Sequence, residues 1–257
     1  MAKMTQQERL ERIESYLREH KYADLHTLAD SFGTSLSTVR RALNELESRG
    51  VIRRHHGGAS LVQEESPANG GYDFITQDDR QVSEKLSIAR TISAKIEEGM
   101  TVVLDGGTST YAVARQILNK RLVVITNSLP IAALFGDIGT SETIVTGGTV
   151  YSRLGMLYGP TCELSLRQIH ADIAILGGAG ITQAGIWNNN SFIVSVQNQI
   201  LRSTDHAYFA LDHTKFGRRA LHLTGGFAQN MTIVTDKEPA HAINTAMRQA
   251  GSQYLIA

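Results

Sequence analysis

The N-terminal part of the chain carries apolar positions at the three- and four-residue spacing of amphipathic helices. The apolar positions of three successive helices are Leu10, Ile13 and Leu17, then Leu25, Leu28, Ala29 and Phe32, and finally Val39, Leu43 and Leu46. The first helix is expected over Glu8–His20. Gly33 and Gly50 predict the ends of the second and third helices, because glycine readily adopts the left-handed backbone conformation found there. Ser35 predicts the N-cap of the third helix, which therefore follows the second after a tight turn.

A basic, glycine-containing stretch follows the third helix. The residues VIRRHHGGASLV form two short extended runs about a glycine pair, a pattern that predicts a β-hairpin, or wing. The polar sequence EESPANGG comes next and is typical of a linker. We therefore divide the chain into a winged helix-turn-helix domain at residues 1–62, a linker at residues 63–79 and a larger domain at residues 80–257.

Beyond the linker, short apolar runs alternate with helical patterns. The runs are Thr101–Asp105, Leu122–Thr126, Glu142–Thr146, Asp172–Leu176, Ala207–Leu211 and Met231–Thr235. Strands buried on both faces have this near-continuous apolar character. The pattern predicts an α/β domain with a largely parallel sheet between layers of helices.

Composition limits the function without naming it. The chain has 257 residues, 42% of them hydrophobic, and a formal net charge of zero, so any affinity for DNA must come from a local basic patch. The only cysteine, Cys162, excludes an intramolecular disulfide and a cysteine zinc cluster, and the scattered histidines suggest no metal site. We expect neither a metal nor a cofactor. The sequence contains no apolar run long enough to span a membrane and no secretion signal at its start, so we expect a cytoplasmic protein.

The tight turn at Gly33 joins two helices in the order of a helix-turn-helix, whose second helix enters the major groove of double-stranded DNA. Candidate contacts from this recognition helix and its start are Ser35, Ser37, Thr38, Arg40, Arg41 and Asn44. Arginine can bond a guanine edge through two hydrogen bonds, whereas hydroxyl groups at a helix start more often bond phosphate. Candidate contacts from the wing to the flanking backbone or minor groove are Arg53, Arg54 and His55.

A second candidate site follows the first strand of the α/β domain. The sequence DGGTST, comprising Asp105, Gly106, Gly107, Thr108, Ser109 and Thr110, precedes a helix expected to begin near Tyr111. A glycine turn at a helix start exposes backbone N–H groups, and the hydroxyls add donors, so a phosphate fits. The motif lacks the lysine of a P-loop and the spacing of a dinucleotide fingerprint.

Three further turns also end strands. They contribute Thr126, Asn127 and Ser128, then Gly147 and Gly148, and finally the segment from Asp212 to Lys215. Because ligands in open α/β sheets sit at the carboxyl ends of strands, these turns are expected to converge on one crevice, with Lys215 adding charge to the phosphate. The run from Trp187 to Asn190 is either a polar loop or a source of amide and stacking contacts to a sugar.

The segment FGTSLSTVRRALNELESRGVIRRHHGGA resembles the N-terminal signature of DeoR-type repressors. It shares with them the hydroxyl-rich turn, the paired arginines and the basic His-Gly-Gly wing in the same order. One departure is Ala42, where that family usually has aspartate. The resemblance implies binding to operator DNA.

The remainder, from about Arg80 onward, resembles the effector domain of the same family through the runs LDGGTSTYAVA, VITNSLPIA, VTGGTV, DIAILGGAGI and ALDHTKFG. The resemblance implies a fold similar to ribose-5-phosphate isomerase and coenzyme A transferases, and a phosphorylated sugar as effector. Two departures concern the ligand. Tyr151 replaces a usual arginine, for which Arg153 is near enough to substitute, and the neutral Gln197 lies in a stretch that normally carries charged residues.

These features predict a repressor of a carbohydrate-utilisation operon, released from its operator by a sugar phosphate or related metabolite. Paired half-sites imply at least a homodimer, and a homotetramer is an alternative. A second hypothesis is a sugar-phosphate isomerase-like or acyl-transferase-like enzyme with an accessory N-terminal domain. A third is an activator or nucleoid-type DNA binder without an effector.

Overall fold

The computed structural model describes residues 6–20, 22–55, 58–61, 80–138 and 140–257. The chain divides into two compact units, Met1–Gly71 and Tyr72–Ala257. The predicted linker at residues 63–79 lies outside the described residues, so the domain boundaries stay a prediction. No helix among the described residues has the length and apolar composition needed to cross a membrane.

The N-terminal unit contains three helices, α1 (Gln6–His20), α2 (Leu25–Ser31) and α3 (Leu36–Ser48). Their apolar positions meet in one cluster, where Ile13, Leu28 and Leu43 are fully buried. Gly33 has a φ of 57° and Gly50 a φ of 72°, which confirms the left-handed residues expected after α2 and α3.

The wing is a three-stranded antiparallel sheet. Strands β2 (Ile52–His55) and β3 (Gly58–Leu61) form the expected hairpin, while β1 (Tyr22–Asp24) pairs with the other edge of β3. The sequence analysis missed β1 because it has only three residues and directly precedes α2. This extra strand joins the α1–α2 connection to the wing by backbone hydrogen bonds.

The C-terminal unit is built on a seven-stranded sheet in which every neighbouring pair is parallel. Its strands are β4 (Thr101–Leu104), β5 (Val123–Thr126), β6 (Glu142–Val145), β9 (Ala171–Leu176), β12 (Thr204–Ala210), β14 (Met231–Thr235) and β15 (Gln253–Ile256). Their order across the sheet is β15-β14-β12-β9-β4-β5-β6. This arrangement confirms the predicted parallel sheet, and it adds β15, which the sequence analysis did not identify.

Helices cover both faces of the sheet. Side chains from α4 (Val82–Ser93), α5 (Thr108–Ile117) and α6 (Leu129–Gly136) pack on one face. Those from α7 (Pro160–Arg167), α8 (Ser191–Arg202) and α9 (His241–Gln249) pack on the other. Alternate residues along a strand join opposite cores: Val102 and Leu104 lie in the first, and Val103 in the second.

One of the six apolar runs is not buried as predicted. Strand β6 lies at the edge of the sheet, and its Ile144 and Val145 are 41% and 43% exposed. Apolar content alone cannot distinguish an edge strand from a central one, because both carry β-branched residues.

Two small antiparallel sheets complete the unit. Strands β7 (Thr149–Tyr151) and β8 (Met156–Tyr158) form a hairpin. Strands β10 (Gly180–Thr182), β11 (Gly185–Asn188) and β13 (His222–Gly225) form the other sheet. Trp187 and Asn188 therefore lie on a strand rather than in a polar loop. Both sheets were missed by the sequence analysis, since strands this short leave little periodicity to detect.

The strand order creates a crevice at the carboxyl ends of β4 and β9. These two strands are neighbours, but the chain continues from β4 toward β5 and β6, and from β9 toward β12, β14 and β15. The loops after β4 and β9 consequently diverge, and a ligand site is expected in the gap between them.

Candidate functional site

The start of α3 is organised by hydroxyl groups. Ser35 has extended backbone, and its Oγ accepts a hydrogen bond from the Thr38 backbone N–H at 3.3 Å, which confirms it as the N-cap. The Ser35 hydroxyl also lies 2.9 Å from that of Ser37 and 2.8 Å from that of Thr38. These contacts fix the first turn of the helix. Ser35 and Ser37 remain exposed to solvent.

The outer face of α3 presents Arg40, Arg41 and Asn44, all of which are exposed. Ala42 lies on the opposite side, 6% exposed, within the core of the N-terminal unit. The family's aspartate at this position is thus replaced by a residue that packs inward. In the wing, the backbone of β2 carries Arg53, Arg54 and His55, but their side chains lie outside the described part of the structure.

A cleft of about 230 Å³ opens at the predicted crevice. Residues 106–110 after β4, residues 177–179 after β9, and Asp212 with Lys215 after β12 line it. Residues 188–190, between β11 and α8, form another wall. The remaining lining residues come from the β7–β8 hairpin, from α8 and from α4 with the two residues before it. They are Tyr151, Leu154, Met156, Ile193, Gln197, Arg80, Gln81 and Lys85.

One end of the cleft is the N-terminus of α5. This helix begins at Thr108, three residues before the predicted start, so Thr108, Ser109 and Thr110 form its first turn. The first backbone N–H groups of a helix have no partner within the helix, and no side chain of the described residues caps them here. The Oγ1 atom of Thr110 is buried and also lacks a hydrogen-bond partner among the described residues. This end of the cleft therefore offers donors to an anion.

The loop requires glycine at both Gly106 and Gly107, but for different reasons. A Cβ at Gly106 would lie 2.3 Å from Cγ of Met156, so glycine allows the β8 methionine to pack against the loop. Gly107 is the N-cap of α5 and has a φ of 133°, a conformation that other residues rarely adopt. A Cβ there would meet no atom within 4 Å, so the restriction at Gly107 is one of backbone conformation rather than space.

Positive charge in the cleft comes from three side chains in two segments of the chain. Lys85 lies in the first turn of α4 and is only 6% exposed, and Arg80 lies two residues before this helix. The Lys215 side chain is 14% exposed, and its Nζ lies 3.9 Å from Oδ2 of Asp212. Burial lowers the pKa of Lys215, as do Arg218 and Arg80, whereas Asp212 raises it. A bound anion would favour the charged form of this lysine.

The turn that carries Lys215 is held rigidly. Asp212 caps a 3-10 helix, His213–Lys215, by accepting from the Thr214 backbone N–H at 3.0 Å. The Asp236 carboxylate makes two hydrogen bonds with His213. Its Oδ1 accepts from the His213 backbone N–H at 2.7 Å, and its Oδ2 lies 2.5 Å from Nδ1 of the His213 ring. Glu84 is close enough that the three could form a metal-ligand set, but both carboxylate oxygens of Asp236 already bond His213. These contacts explain the fixed position of Lys215.

Asp105, the first residue of the predicted motif, lies beneath the cleft and is fully buried. Its Oδ2 accepts a hydrogen bond from Gln197 Nε2 at 2.7 Å, and its Oδ1 has no partner among the described residues. Burial raises the pKa of Asp105 to about 6, although the hydrogen bonds from Gln197 and the Gly106 backbone act to lower it. Asp105 thus supports the loop from below and does not face the ligand space.

Several predicted ligand contacts lie elsewhere. Thr126 is buried and donates to the Leu104 carbonyl at 2.6 Å, and Ser128 caps α6 by accepting from the Ile131 N–H at 3.4 Å. Asn127 is buried and donates to the Leu157 carbonyl at 3.3 Å. The structure does not bring these three residues to the cleft lining.

The glycine pair Gly147 and Gly148 and the residue Arg153, which were also predicted to contact the ligand, do not line the cleft. Gly147 and Gly148 have positive φ angles, and a Cβ at Gly148 would come within 2.6 Å of the Tyr158 carbonyl oxygen. Gly148 therefore allows the close approach of β8, whereas a Cβ at Gly147 would make only an ordinary contact, 3.6 Å from Thr161. Arg153 is exposed in the β7–β8 turn, while Tyr151 itself lines the cleft. Arg153 is consequently not in the place that the family's arginine would occupy.

Two polar residues of the cleft wall, Lys85 and Gln197, were not among the predicted ligand contacts, although a helical pattern could have revealed both. Lys85 shares its buried face with Ile88, Ala89 and Ile92, and Gln197 occupies an equivalent place on the buried face of α8. A cation or an amide within an apolar stripe is costly to bury unless it has polar partners or a ligand. This signal was present in the sequence.

Each of the two units matches a model of a known domain family. A model of the DeoR-like helix-turn-helix domain matches residues 9–65, and a model of the DeoR C terminal sensor domain matches residues 80–237. The chain is 32% identical to the glycerol-3-phosphate regulon repressor of Escherichia coli K12, covering 92% of this chain and 93% of that protein. It is 28% identical to the L-fucose operon activator of the same organism, covering 89% and 94%.

Among solved structures, ribose 5-phosphate isomerase A from Methanocaldococcus jannaschii matches 51% of this chain and 52% of its own, with 14% identity and a TM-score of 0.38. The two domain models and the relative at 32% identity decide the classification. This chain is a DNA-binding transcription regulator that belongs to the DeoR family.

Proposed function

We propose that this regulator represses a carbohydrate-utilisation operon and leaves its operator when a phosphorylated sugar or a related phosphate ester fills the cleft. The observation that carries the proposal is the pairing, in one cleft, of the uncapped N-terminus of α5 with three cationic side chains. A phosphate dianion gains both from hydrogen bonds to free N–H groups and from nearby positive charge.

The charge of the lining supports a single phosphate group. Arg80, Lys85 and Lys215 are cationic, while Asp212 is the one carboxylate that lines the described cleft. Asp212 offsets part of the charge of Lys215. The remaining excess of positive charge suits one phosphate dianion better than a neutral ligand.

The other wall suits a hydroxylated carbon skeleton. Asn188, Asn189, Asn190 and Gln197 contribute neutral amide groups, and Leu154 with Met156 supplies an apolar surface. Sugar-binding sites combine such directional polar groups with apolar contact. A phosphate at one end and amides at the other therefore fit a sugar phosphate or a polyol phosphate.

Regulation requires the ligand to bind the DNA-competent and DNA-incompetent arrangements with different affinities. The candidate DNA contacts are the exposed residues at the start and on the outer face of α3, with Arg53, Arg54 and His55 from the wing. Because helix-turn-helix proteins read paired half-sites, the proposal includes a homodimer, or a homotetramer built from dimers. A regulator of this kind acts on the chromosome, so we place it in the cytoplasm.

The relatives include both repressors and activators, so whether this chain represses or activates transcription must be tested. One relative at 32% identity is a repressor, and one at 28% is an activator. Because these relatives are transcription regulators, the alternative hypothesis of an isomerase-like or transferase-like enzyme is not favoured. An open, positively charged cleft also argues against a DNA binder that has no effector.

The experiment measures DNA binding by fluorescence anisotropy, using an operator selected from random-sequence DNA and the full-length protein. Glycerol 3-phosphate, glucose 6-phosphate and fructose 6-phosphate are titrated in parallel with glycerol, glucose, fructose and inorganic phosphate. We expect at least one phosphate ester to weaken operator binding while its unphosphorylated parent has no effect. A response to the parent sugar alone would contradict the phosphate site, and tighter DNA binding with the ester would indicate activation.

A further inference from the structure

Gln197 is a buried amide that joins three of the segments around the cleft. It is 1% exposed, and its Nε2 donates to Oδ2 of Asp105 at 2.7 Å and to the carbonyl oxygen of Gly177 at 3.0 Å. A backbone carbonyl accepts but never donates, so this contact fixes the amide with its nitrogen toward the loops after β4 and β9. The Oε1 oxygen must then point toward β11.

This orientation determines that of the neighbouring amide. Gln197 Oε1 accepts from Nδ2 of Asn188 at 2.8 Å, and the same Nδ2 donates to Oγ1 of Thr224 at 2.8 Å. An amide nitrogen has two hydrogens, and both are used within the protein. Asn188 lines the cleft and can therefore offer a ligand its carbonyl oxygen, Oδ1, rather than its N–H groups.

The chemistry of that oxygen is selective. It accepts a hydrogen bond from a hydroxyl group, whereas a deoxygenated carbon would leave it unpaired and a second phosphate or carboxylate would be repelled. Gln197 and Asn188 are 1% and 6% exposed, so they are held in a dry environment where an unmade hydrogen bond is costly. The cations of the cleft lie on other elements, α4 and the turn after β12.

We propose that Asn188 is a specificity-determining residue that selects a phosphate ester with a hydroxyl group at its non-phosphate end, and that Gln197 is its positioning residue. The inference rests on the proposed function, because it assigns a second contact to the same ligand. It goes further by naming which residues discriminate between ligands and which chemical group they recognise.

The test compares probes that differ only in hydroxyl groups. Glycerol 3-phosphate is paired with propyl phosphate, and sorbitol 6-phosphate with hexyl phosphate, by calorimetry on the full-length chain. The measured quantity is the ratio of affinities within each pair, so a general loss of affinity in a variant cancels. Wild type should prefer the hydroxylated member of at least one pair by about tenfold or more, equivalent to about 1.4 kcal/mol.

Asn188→Ala should reduce that ratio about tenfold, since one hydrogen bond is lost. Asn198→Ala is the matched control, because Asn198 lies on α8 next to Gln197 but does not line the cleft. Its ratio should equal that of wild type. A wild-type ratio near one, or full discrimination in Asn188→Ala, would overturn the inference.

The positioning role has its own test. Gln197→Met removes the amide while keeping the chain length, and the ratio should fall as it does in Asn188→Ala. Combining both substitutions should cause no further fall, because Gln197 acts through Asn188. Thr224→Val provides a second route, since it frees Asn188 without removing the donor to Asp105, and it should lower the ratio partly. Additive losses in the double variant, or an unchanged ratio in Thr224→Val, would refute positioning.

The outcomes also separate this inference from the proposed function. Binding of esters and inorganic phosphate to wild type, with discrimination that survives Asn188→Ala, would overturn only the specificity assignment. If neither inorganic phosphate nor any ester binds wild type, the anion site itself is absent and both proposals fail.

Discussion

Asp105 should make the stability of the C-terminal unit depend on pH. The residue is fully buried, and burial raises the pKa of its carboxyl group from 3.8 to about 6. The folded chain therefore retains a proton that the unfolded chain has released at pH 5. Because the folded state binds the extra proton, the contribution of Asp105 to stability is present in acid and is lost as pH rises through about 6.

Asp105→Asn imitates the neutral carboxylic acid at every pH. The amide oxygen of the asparagine can still accept a hydrogen bond from Gln197 Nε2, as Oδ2 of Asp105 does at 2.7 Å in the wild type. A shift of about two units corresponds to about 3 kcal/mol in total, of which about 1.4 kcal/mol falls between pH 5 and pH 8. As the pH rises from 5 to 8, the free energy of unfolding of Asp105→Asn should therefore increase by about 1.4 kcal/mol relative to that of wild type.

The assay is urea unfolding followed by tryptophan fluorescence at pH 5 and pH 8. Trp187 is the only tryptophan and lies in the C-terminal unit, so the signal reports this unit. Asp137→Asn, at an exposed aspartate, is the matched control, and its difference in stability from wild type should be about the same at both pH values. A difference between Asp105→Asn and wild type that stays constant from pH 5 to pH 8 would show that the Asp105 carboxyl group does not titrate in this interval.

The remaining predictions concern the N-terminal unit. Ser35→Ala should destabilise α3 by about 1 kcal/mol and speed hydrogen exchange of the Thr38 amide, which loses its side-chain acceptor and keeps only the Ser35 carbonyl; unchanged exchange would contradict the cap. Arg40→Ala should weaken operator binding by about 1–3 kcal/mol if the side chain bonds a base, measured at matched salt, and wild-type affinity would remove it from the interface. Arg53→Ala should weaken binding to all sequences similarly and lower the salt dependence by roughly one unit, so an unchanged slope would exclude a phosphate contact.

The main elements of both units were predictable from local patterns. Val39, Leu43 and Leu46 recur at helical spacing and are all buried, and Ser35 caps the helix that they define. The core strands were predictable for a similar reason, since β4 and β9 are buried on both faces and carry unbroken apolar runs. Such elements are specified by residues close in sequence.

The cleft was predictable only in part, because its geometry depends on distant segments. Gly107 and Lys215 could be connected through the rule that ligands bind at the carboxyl ends of strands. That rule alone also included Asn127 and Gly148, whose strand β5 and loop before β7 end away from the cleft. The strand order, which places β9 beside β4, was needed to make this distinction.

Gly107→Asp tests whether the N-terminus of α5 holds the phosphate of the effector. The substitution places a carboxylate at the N-terminus of α5, where the ligand phosphate would sit. Gly107→Ala is the matched control, since it imposes the same strain at a φ of 133° without adding charge, and a Cβ there meets no atom within 4 Å.

The measurement is release of selected operator DNA from full-length protein, titrated with the phosphate ester to which wild type responds. Gly107→Asp should bind the operator as Gly107→Ala does but resist release by the ester, while Gly107→Ala still responds. Release of Gly107→Asp at the same ester concentration as Gly107→Ala would show that the phosphate binds elsewhere than at the start of α5.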